Sequence, residues 1–366
     1  MRLFFDARYI RTDFHDGISR YSAELAAAVA AAASGSEVEV TYLICDPDQQ
    51  RFLPEAAASL TIHGPTSVRE PFTARILNRH RPDVVFSPMQ TIGSAGRRFR
   101  LILTLHDTIY YRHRTPPHAL PWLVRVGWRL FHLSYWPQRL TLNAADLVAT
   151  VSETSARQFA RVKLTRRPVI VIPNAPQRLA DLLADGVAVS EGPIRNLVYM
   201  GSFMPYKNVE TLVTAMRQLP EHTLHLLSRI PAERRAEFER HSRPGSIVFH
   251  DGVTDAEYAA LLADHAALVT TSLDEGYGLP VAEALELGVP AVVTDMEIFR
   301  EVAGDGALYV DPLDPAAVAA AVRSLDEPGV RERLVEAGTA HIRTFSWSRS
   351  AQTLLAAAKD LARGAK

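Results

Sequence analysis

The chain has a single cysteine, Cys45, in 366 residues. One thiol excludes an internal disulfide framework and a metal site built from cysteines, and it suits a reducing, cytoplasmic compartment. Long apolar runs are also missing. No stretch approaches the roughly 18 residues of a membrane-spanning helix. The apolar start, Leu3-Phe4-Phe5, meets Asp6 and Arg8 too soon for a secretory leader. There is no internal repeat and no low-complexity tract. Neither sign of charge dominates, with 40 Lys and Arg against 41 Asp and Glu, and no nucleic-acid partner is expected.

Hydrophobic residues make up 47% of the chain and charged ones 22%, which rules out wholesale disorder and marks a globular protein of about two domains. Alanine clusters in helical stretches such as residues 23–33. The charge is unevenly spread. Residues 1–185 carry 23 Lys and Arg against 16 Asp and Glu, and the remainder 17 against 25. A basic front half and an acidic back half point to different partners for each, with an anionic acceptor or a membrane surface at the front.

Strand-like and helix-like segments alternate. Strands are expected at residues 2–6, 38–45, 83–86, 101–105, 145–150 and 169–172, with a helix over 18–33. Such alternation predicts a parallel sheet in a doubly wound α/β domain. Pro173-Asn174-Ala175-Pro176 interrupts the pattern. It restarts at Asn196 and continues through strands near 223–227, 246–249, 267–271, 291–294 and 307–310. The expected fold class is therefore α/β, with two doubly wound Rossmann-like domains facing across a cleft. Their bounds are residues 1–175 and 194–347, joined by a linker over 176–193. Ligands of such sheets bind outside the carboxyl ends of the strands.

Residues 274–284, Asp-Glu-Gly-Tyr-Gly-Leu-Pro-Val-Ala-Glu-Ala, join an apolar strand to a helix that ends near Gly288. Gly276 and Gly278 let backbone approach a ligand, and Pro280 suits a first helical turn. The exposed N–H groups of that helix favour phosphate oxygens. Glu275 and Glu283 bracket the turn and remain available for hydroxyls of a sugar or ribose. His106 and Asp107 end the strand Leu101–Leu105. Lys207 follows the strand–glycine turn Tyr199-Met200-Gly201-Ser202. Asp46-Pro47-Asp48 reads as a turn, and no metal site is expected.

Glu275 to Glu283, with Gly-Tyr-Gly-Leu-Pro between, resembles the E-x7-E signature of the family-4 retaining nucleotide-sugar glycosyltransferases, the GT-B "glycosyl transferases group 1". Tyr277 stands where that family usually has Phe. Tyr199-Met200-Gly201-Ser202 with Lys207-Asn208, His250-Asp251-Gly252-Val253, Thr104-Leu105-His106-Asp107 and Gly17-Ile18-Ser19-Arg20-Tyr21 resemble further family segments in order, as do residues 150–155 and 345–347. The likeness covers nearly the whole chain.

The resemblance implies roles. Lys207 would clamp the donor phosphate, with Gly201 and Ser202 in the adjoining turn. Glu275 would hold donor-sugar hydroxyls, and Gly276, Tyr277, Gly278 and Leu279 would offer backbone N–H groups. Glu283 would bind the ribose, while Asp251, Gly252 and Val253 would position the base. His106 would lie near the reacting carbon, Asp107 would hold the acceptor or orient its loop, and Gly17 would approach the diphosphate. Asp16 replaces a glycine common in relatives. The arginine that many relatives carry before the lysine is absent, and Arg229 is a candidate substitute. Glu286, one turn beyond Glu283, reads as a surface residue. The last helix, about 348–366, would pack back on the first domain.

The activity implied is metal-independent transfer of a hexose, mannose among the candidates, from a nucleoside-diphosphate sugar to a glycan or lipid-linked acceptor, as in polysaccharide biosynthesis. The configuration would be retained. No cofactor is expected beyond the donor substrate. The location would be cytoplasmic, with the inner face of the membrane as a docking place. A nucleotide-sugar epimerase of the same fold and a non-catalytic nucleotide-binding subunit are the alternatives. Residues 121–139 mix aromatic and aliphatic side chains with Arg125, Arg129 and His132 on one helical stripe. They read either as a helix packed on the core with a basic edge, or as a surface for anionic lipid or a polyprenyl-linked acceptor.

Overall fold

A computed structural model describes residues 1–13, 17–55, 57–116 and 121–364. The chain divides into two compact units, Met1–Asn174 with Ser346–Lys366, and Ala175–Phe345.

The first unit runs β1 (Arg2–Asp6), α1 (Gly17–Ala33), β2 (Glu39–Ile44), β3 (Ser59–Thr61), α2 (Thr73–His80), β4 (Val84–Ser87) and β5 (Arg100–Thr104). It continues with α3 (Ile109–Arg112), α4 (Trp122–Phe131), α5 (Trp136–Asn143), β6 (Leu147–Thr150), α6 (Glu153–Arg161) and β7 (Val169–Val171). The strands form one sheet in the order β3-β2-β1-β4-β5-β6-β7, every pairing parallel. Phe4 of β1 lies opposite Thr41 on one side and Val85 on the other. Every residue of β4 and β6 is buried, as expected of strands covered on both faces by helices.

The second unit runs β8 (Asn196–Tyr199), α7 (Val209–Ala215), β9 (Thr223–Leu226), α8 (Ala232–His241), β10 (Ile247–Phe249), α9 (Asp255–Ala263) and β11 (Ala266–Thr270). It continues with α10 (Leu279–Leu287), β12 (Ala291–Thr294), α11 (Glu297–Ala303), β13 (Ala307–Val310), α12 (Pro315–Ser324) and α13 (Val330–Ile342). Its sheet order is β10-β9-β8-β11-β12-β13, again parallel throughout. The final helix α14 (Trp347–Arg363) belongs to the first unit and packs on α1. Ser346 caps it by accepting the Arg349 N–H, and the Ser350 hydroxyl donates to the Pro173 carbonyl at 2.7 Å.

In both sheets the chain order reverses beside the first strand, between β1 and β4 and between β8 and β11. These are the switch points at which ligands of open α/β sheets gather. Asp46 is the cap of a short 3-10 turn, Pro47–Phe52, where its carboxylate accepts the Asp48 N–H. Among the described residues no helix is long and apolar enough to cross a membrane.

Candidate active site

The second switch point brings together residues far apart in sequence. After β8, Gly201 lies so close to the ring of Tyr199 that a Cβ there would sit 2.8 Å from the Tyr199 hydroxyl. That hydroxyl donates to the Ser202 carbonyl at 2.7 Å, and burial keeps it protonated, well above the usual tyrosine range. The turn then enters a short 3-10 stretch, Pro205–Lys207.

Asn208, left-handed at φ 50°, locks this turn to its neighbours. Its amide donates to the carbonyls of Thr271 and Pro312 at 3.1 and 2.6 Å, and its own carbonyl accepts the Thr271 hydroxyl at 2.8 Å. The Leu273 N–H reaches the Tyr206 carbonyl at 2.7 Å. Loops following β8, β11 and β13 are thereby tied together.

As a result Lys207 and Glu275 meet. Lys207 Nζ lies 2.5 Å from Glu275 Oε1, with 15% and 14% of the two side chains exposed. A few residues on, Gly278 caps α10 at φ 99°, and a Cβ there would come within 2.7 Å of the Phe299 ring. Its carbonyl takes the N–H groups of Val281 and Ala282, and Pro280 has none to leave unpaired. The N-terminus of α10 thus opens beside the ammonium of Lys207, two features that favour an anion. Tyr277 is buried against Phe345, and burial raises its hydroxyl far above the usual range. Gly276 is buried and Leu279 half-buried. Glu283 is 2% exposed, inside the first turns of α10.

The loop after β10 uses two consecutive left-handed residues, Asp251 at φ 54° and Gly252 at φ 110°. The Gly252 N–H donates to the Leu227 carbonyl at 2.8 Å, and the Asp251 carboxylate pairs with Arg235 at 3.1 Å. Val253 is half-buried beyond them. Arg229 is exposed and packs over Gly252, its Nε 3.5 Å from where a Cβ would stand. It therefore adjoins the loop after β10. Beside it, His225 and His250 face each other at 3.0 Å, and burial, then His250, pushes the His225 pKa down.

In the first unit His106 lies two residues beyond β5. Its Nε2 donates to the Pro88 carbonyl at 2.8 Å, since a carbonyl can only accept. The buried ring of Tyr21, on α1, meets it edge-on at 5.1 Å between centroids. Gly17 opens α1, and Asp16 lies outside the described residues. Asp107 accepts the Ile109 N–H at 2.8 Å and so orients α3.

Two expectations change. Glu286 is not a surface residue. It is half-buried against the Leu179–Leu182 turn, one carboxylate oxygen has no partner, and burial raises its pKa. His132 leaves the basic stripe of α4. Its ring stacks among Trp128, Tyr110 and Tyr111, its Nδ1 donates to the Trp128 carbonyl, and burial lowers its pKa. Arg125 and Arg129 remain at the surface of α4, on which no residue is fully buried.

Sequence reasoning missed one cluster altogether. Arg8 is buried between Asp6 and Glu70, at 2.7 and 2.8 Å, with His63 3.1 Å from Glu70. Its only signal in the sequence is a pair of opposite charges directly after an apolar strand. Among the described residues no group of His, Cys, Asp and Glu side chains has the arrangement of a metal site.

Residues 16–175 match the family described as glycosyl transferase 4-like domain, and residues 194–327 that described as glycosyl transferases group 1. The MMP alpha-(1->4)-mannosyltransferase of Mycolicibacterium hassiacum is 32% identical over 325 residues, 79% of this chain and 74% of that protein. The O-antigen chain mannosyltransferase B of Escherichia coli is 30% identical over 226 residues, 57% of this chain and 58% of that protein. The fold is shared with the sucrose-phosphate synthase of Thermosynechococcus elongatus, at TM-score 0.74 and 18% identity over 98% of both chains. It is likewise shared with Anabaena HepE in complex with UDP-glucose, at TM-score 0.72 and 16% identity over 98% of this chain and 100% of that one.

Proposed function

We propose, from the premise that the chain belongs to the family-4 glycosyl transferases of group 1, with the GT-B fold, that it transfers a hexose from a nucleoside-diphosphate sugar to a glycan or lipid-linked acceptor. The named mannosyltransferase relatives favour mannose as the hexose. The observation that carries this reading is the Lys207–Glu275 pair beside the N-terminus of α10 at the second switch point.

Breaking the bond from sugar to diphosphate builds negative charge on the departing phosphate. Lys207 and the α10 N–H groups stabilise that charge as it forms. A diphosphate competes with Glu275 for the three N–H donors of Lys207, which turns the Glu275 carboxylate toward sugar hydroxyls. Glu283 takes the ribose hydroxyls, and Asp251, Gly252 and Val253 border the base. The acceptor hydroxyl attacks on the face the diphosphate leaves, so the anomeric configuration is retained. A departing phosphate oxygen takes the acceptor's proton. By the family resemblance, His106 would contact the donor sugar and Gly17 would border the diphosphate. No metal or cofactor has a part in these steps.

The test is calorimetry with UDP-, GDP-, ADP- and dTDP-sugars on the wild type, Lys207→Ala and Glu283→Ala. One sugar nucleotide should bind, with affinity reduced about tenfold or more in each variant. Equal binding by the variants would remove the site assignment. With donor and acceptor present, proton NMR of the product should show the donor's anomeric configuration. Release of free sugar and nucleotide without an acceptor would instead identify an epimerase-like activity.

Peripheral contact with the inner membrane face belongs to the same reading. Trp122, Leu123 and Leu130 on α4 are 70%, 65% and 62% exposed, and Trp136 on α5 is 64% exposed. At about 100° per residue, Trp122, Val126, Leu130 and Leu123 share one stripe of α4, with Arg125 and Arg129 along its edge. An apolar stripe edged by arginines fits an anionic bilayer. Vesicles with anionic lipid should sediment the protein in a salt-sensitive way, and failure at low salt would remove the contact.

A further inference from the structure

We propose that Arg8, Asp6 and Ser87 form a buried brace that sets the orientation and tautomer of His106, with Ser87 as the positioning residue through which the brace acts. The functional half of this inference rests on the donor contact given to His106 above.

The brace fills the first switch point, the position that in the second sheet carries the Lys207–Glu275 pair. Arg8 follows β1, and its side chain and that of Asp6 have no exposed surface. All five guanidinium N–H groups have partners. Nε donates to Asp6 Oδ1 at 2.7 Å and Nη2 to Asp6 Oδ2 at 2.9 Å, a parallel two-bond grip. Nη1 donates to Glu70 Oε2 at 2.8 Å and to the His63 carbonyl at 3.0 Å, and Nη2 also to Glu70 Oε1 at 3.0 Å. Burial works against the arginine's charge, but Asp6 and Glu70 more than offset it. A guanidinium saturated in this way cannot turn without leaving a buried charge unpaired, so the Asp6 carboxylate is held in one orientation.

From Asp6 the constraint passes across the switch point to β4. The Ser87 hydroxyl donates to Asp6 Oδ2 at 3.1 Å and accepts the Met89 N–H at 3.3 Å. Its proton and lone pair are therefore both directed. The Ser87 carbonyl accepts the Thr104 hydroxyl at 2.9 Å, joining the turn to β5. At the far end of the turn the Gly93 N–H reaches Glu70 Oε1 at 3.4 Å. The next carbonyl after Ser87 is that of Pro88, which accepts His106 Nε2–H. With Tyr21 against the ring, that bond leaves one tautomer for the neutral imidazole, protonated at Nε2. A turn displaced by a fraction of an ångström would lose the bond and with it the tautomer.

Selective 15N-histidine NMR, with His106→Gln to assign the resonance, reads the tautomer directly. Wild-type protein should show the Nε2–H form. Ser87→Ala should shift the His106 nitrogens toward a tautomer mixture and lower kcat about tenfold or more. Its donor KM should stay within about twofold. Thr73→Val is the control. It removes the Thr73 bonds to His63 and the Glu70 carbonyl and leaves the Ser87 branch intact. It should lower Tm at least as much as Ser87→Ala, yet leave the tautomer unchanged and kcat within about twofold. Should the alanine variant fold poorly, Ser87→Cys, with a weaker donor in nearly the same volume, should give an intermediate shift. An unchanged tautomer in the Ser87 variants, or an equal kcat loss in Thr73→Val, would overturn the brace. A wild type that transfers no sugar would refute the proposed function, while the NMR comparison would still decide the brace.

Discussion

Gly278 is held twice over, by a backbone φ of 99° and by the Phe299 ring 2.7 Å from where a Cβ would stand. Alanine there must adopt a left-handed conformation and also push an aromatic ring of the core. Gly278→Ala should cost about 2 kcal/mol or more and should weaken sugar-nucleotide binding, because the start of α10 moves with it. A thermal melt together with calorimetry checks both, and an unshifted melt would contradict the packing. Glu286 calls for the opposite kind of change. Its carboxylate has a partnerless oxygen, and burial raises its pKa more than Arg178 and Arg343 lower it. An acid with a raised folded-state pKa costs nothing below the ordinary carboxylate range, loses stability as pH rises from there to the raised value, and carries the full cost above it. Glu286→Gln should therefore raise Tm by about 1–2 °C at neutral pH, a small figure because solvent screens a half-buried group. The gain should vanish near pH 4.

The elements differ in how much of their role their own residues announce. Helix α10 and strands β4, β6, β11 and β12 are legible because each is an apolar run or is bounded by glycine and proline, and β4, β6, β11 and β12 are wholly buried. Strand β3 goes unread, since three residues, Ser59–Thr61, at the sheet edge carry no apolar pattern. The residues that would form the donor site were readable for a local reason, as Glu275, Gly278 and Glu283 lie within one turn and one helix. Lys207 and Glu275 are 68 positions apart, and only the shared switch point, not spacing, brings them together. Arg8 and Glu70, 62 positions apart, stayed invisible for the same reason. For α4 the sequence left two readings open, and its apolar stripe is exposed. Trp122→Ser with Leu130→Ser should leave Tm within about 1 °C, because little packing is lost, while sharply reducing sedimentation with anionic vesicles. A large fall in Tm would mean that the stripe is covered within the protein.

At the scale of the whole molecule, three histidines among the described residues pull stability in the same direction. His132 in the first unit, and His222 and His225 in the second, all have pKa values lowered chiefly by burial. For a histidine with a lowered value the unfolded chain binds the proton first. Stability is then full above the ordinary value of about 6.5 and is lost as pH falls through the folded value. The surrounding groups modulate this, with Asp326 and Glu221 supporting a charge on His222 and Asp264 one on His225, while His250 opposes it. His132 and His225 are half-buried, so each contributes less than the roughly 1.4 kcal/mol that a tenfold change in proton affinity represents, whereas both ring nitrogens of His222 are buried without a hydrogen-bond partner. Glu286 acts with opposite sign, but only in the lower window between the ordinary carboxylate value and its own raised one. Melts at pH 7.5, 6.5 and 5.5 should therefore show a falling Tm. In His132→Phe, which keeps the aromatic stacking without the titrating nitrogen, the fall should be shallower. A Tm that holds level over that range would show that all three imidazoles gain a compensating partner when charged. The shallower slope in His132→Phe is the more specific sign, because it ties the acid sensitivity to the Tyr110–Trp128–Tyr111 cluster that fixes α4 to α3.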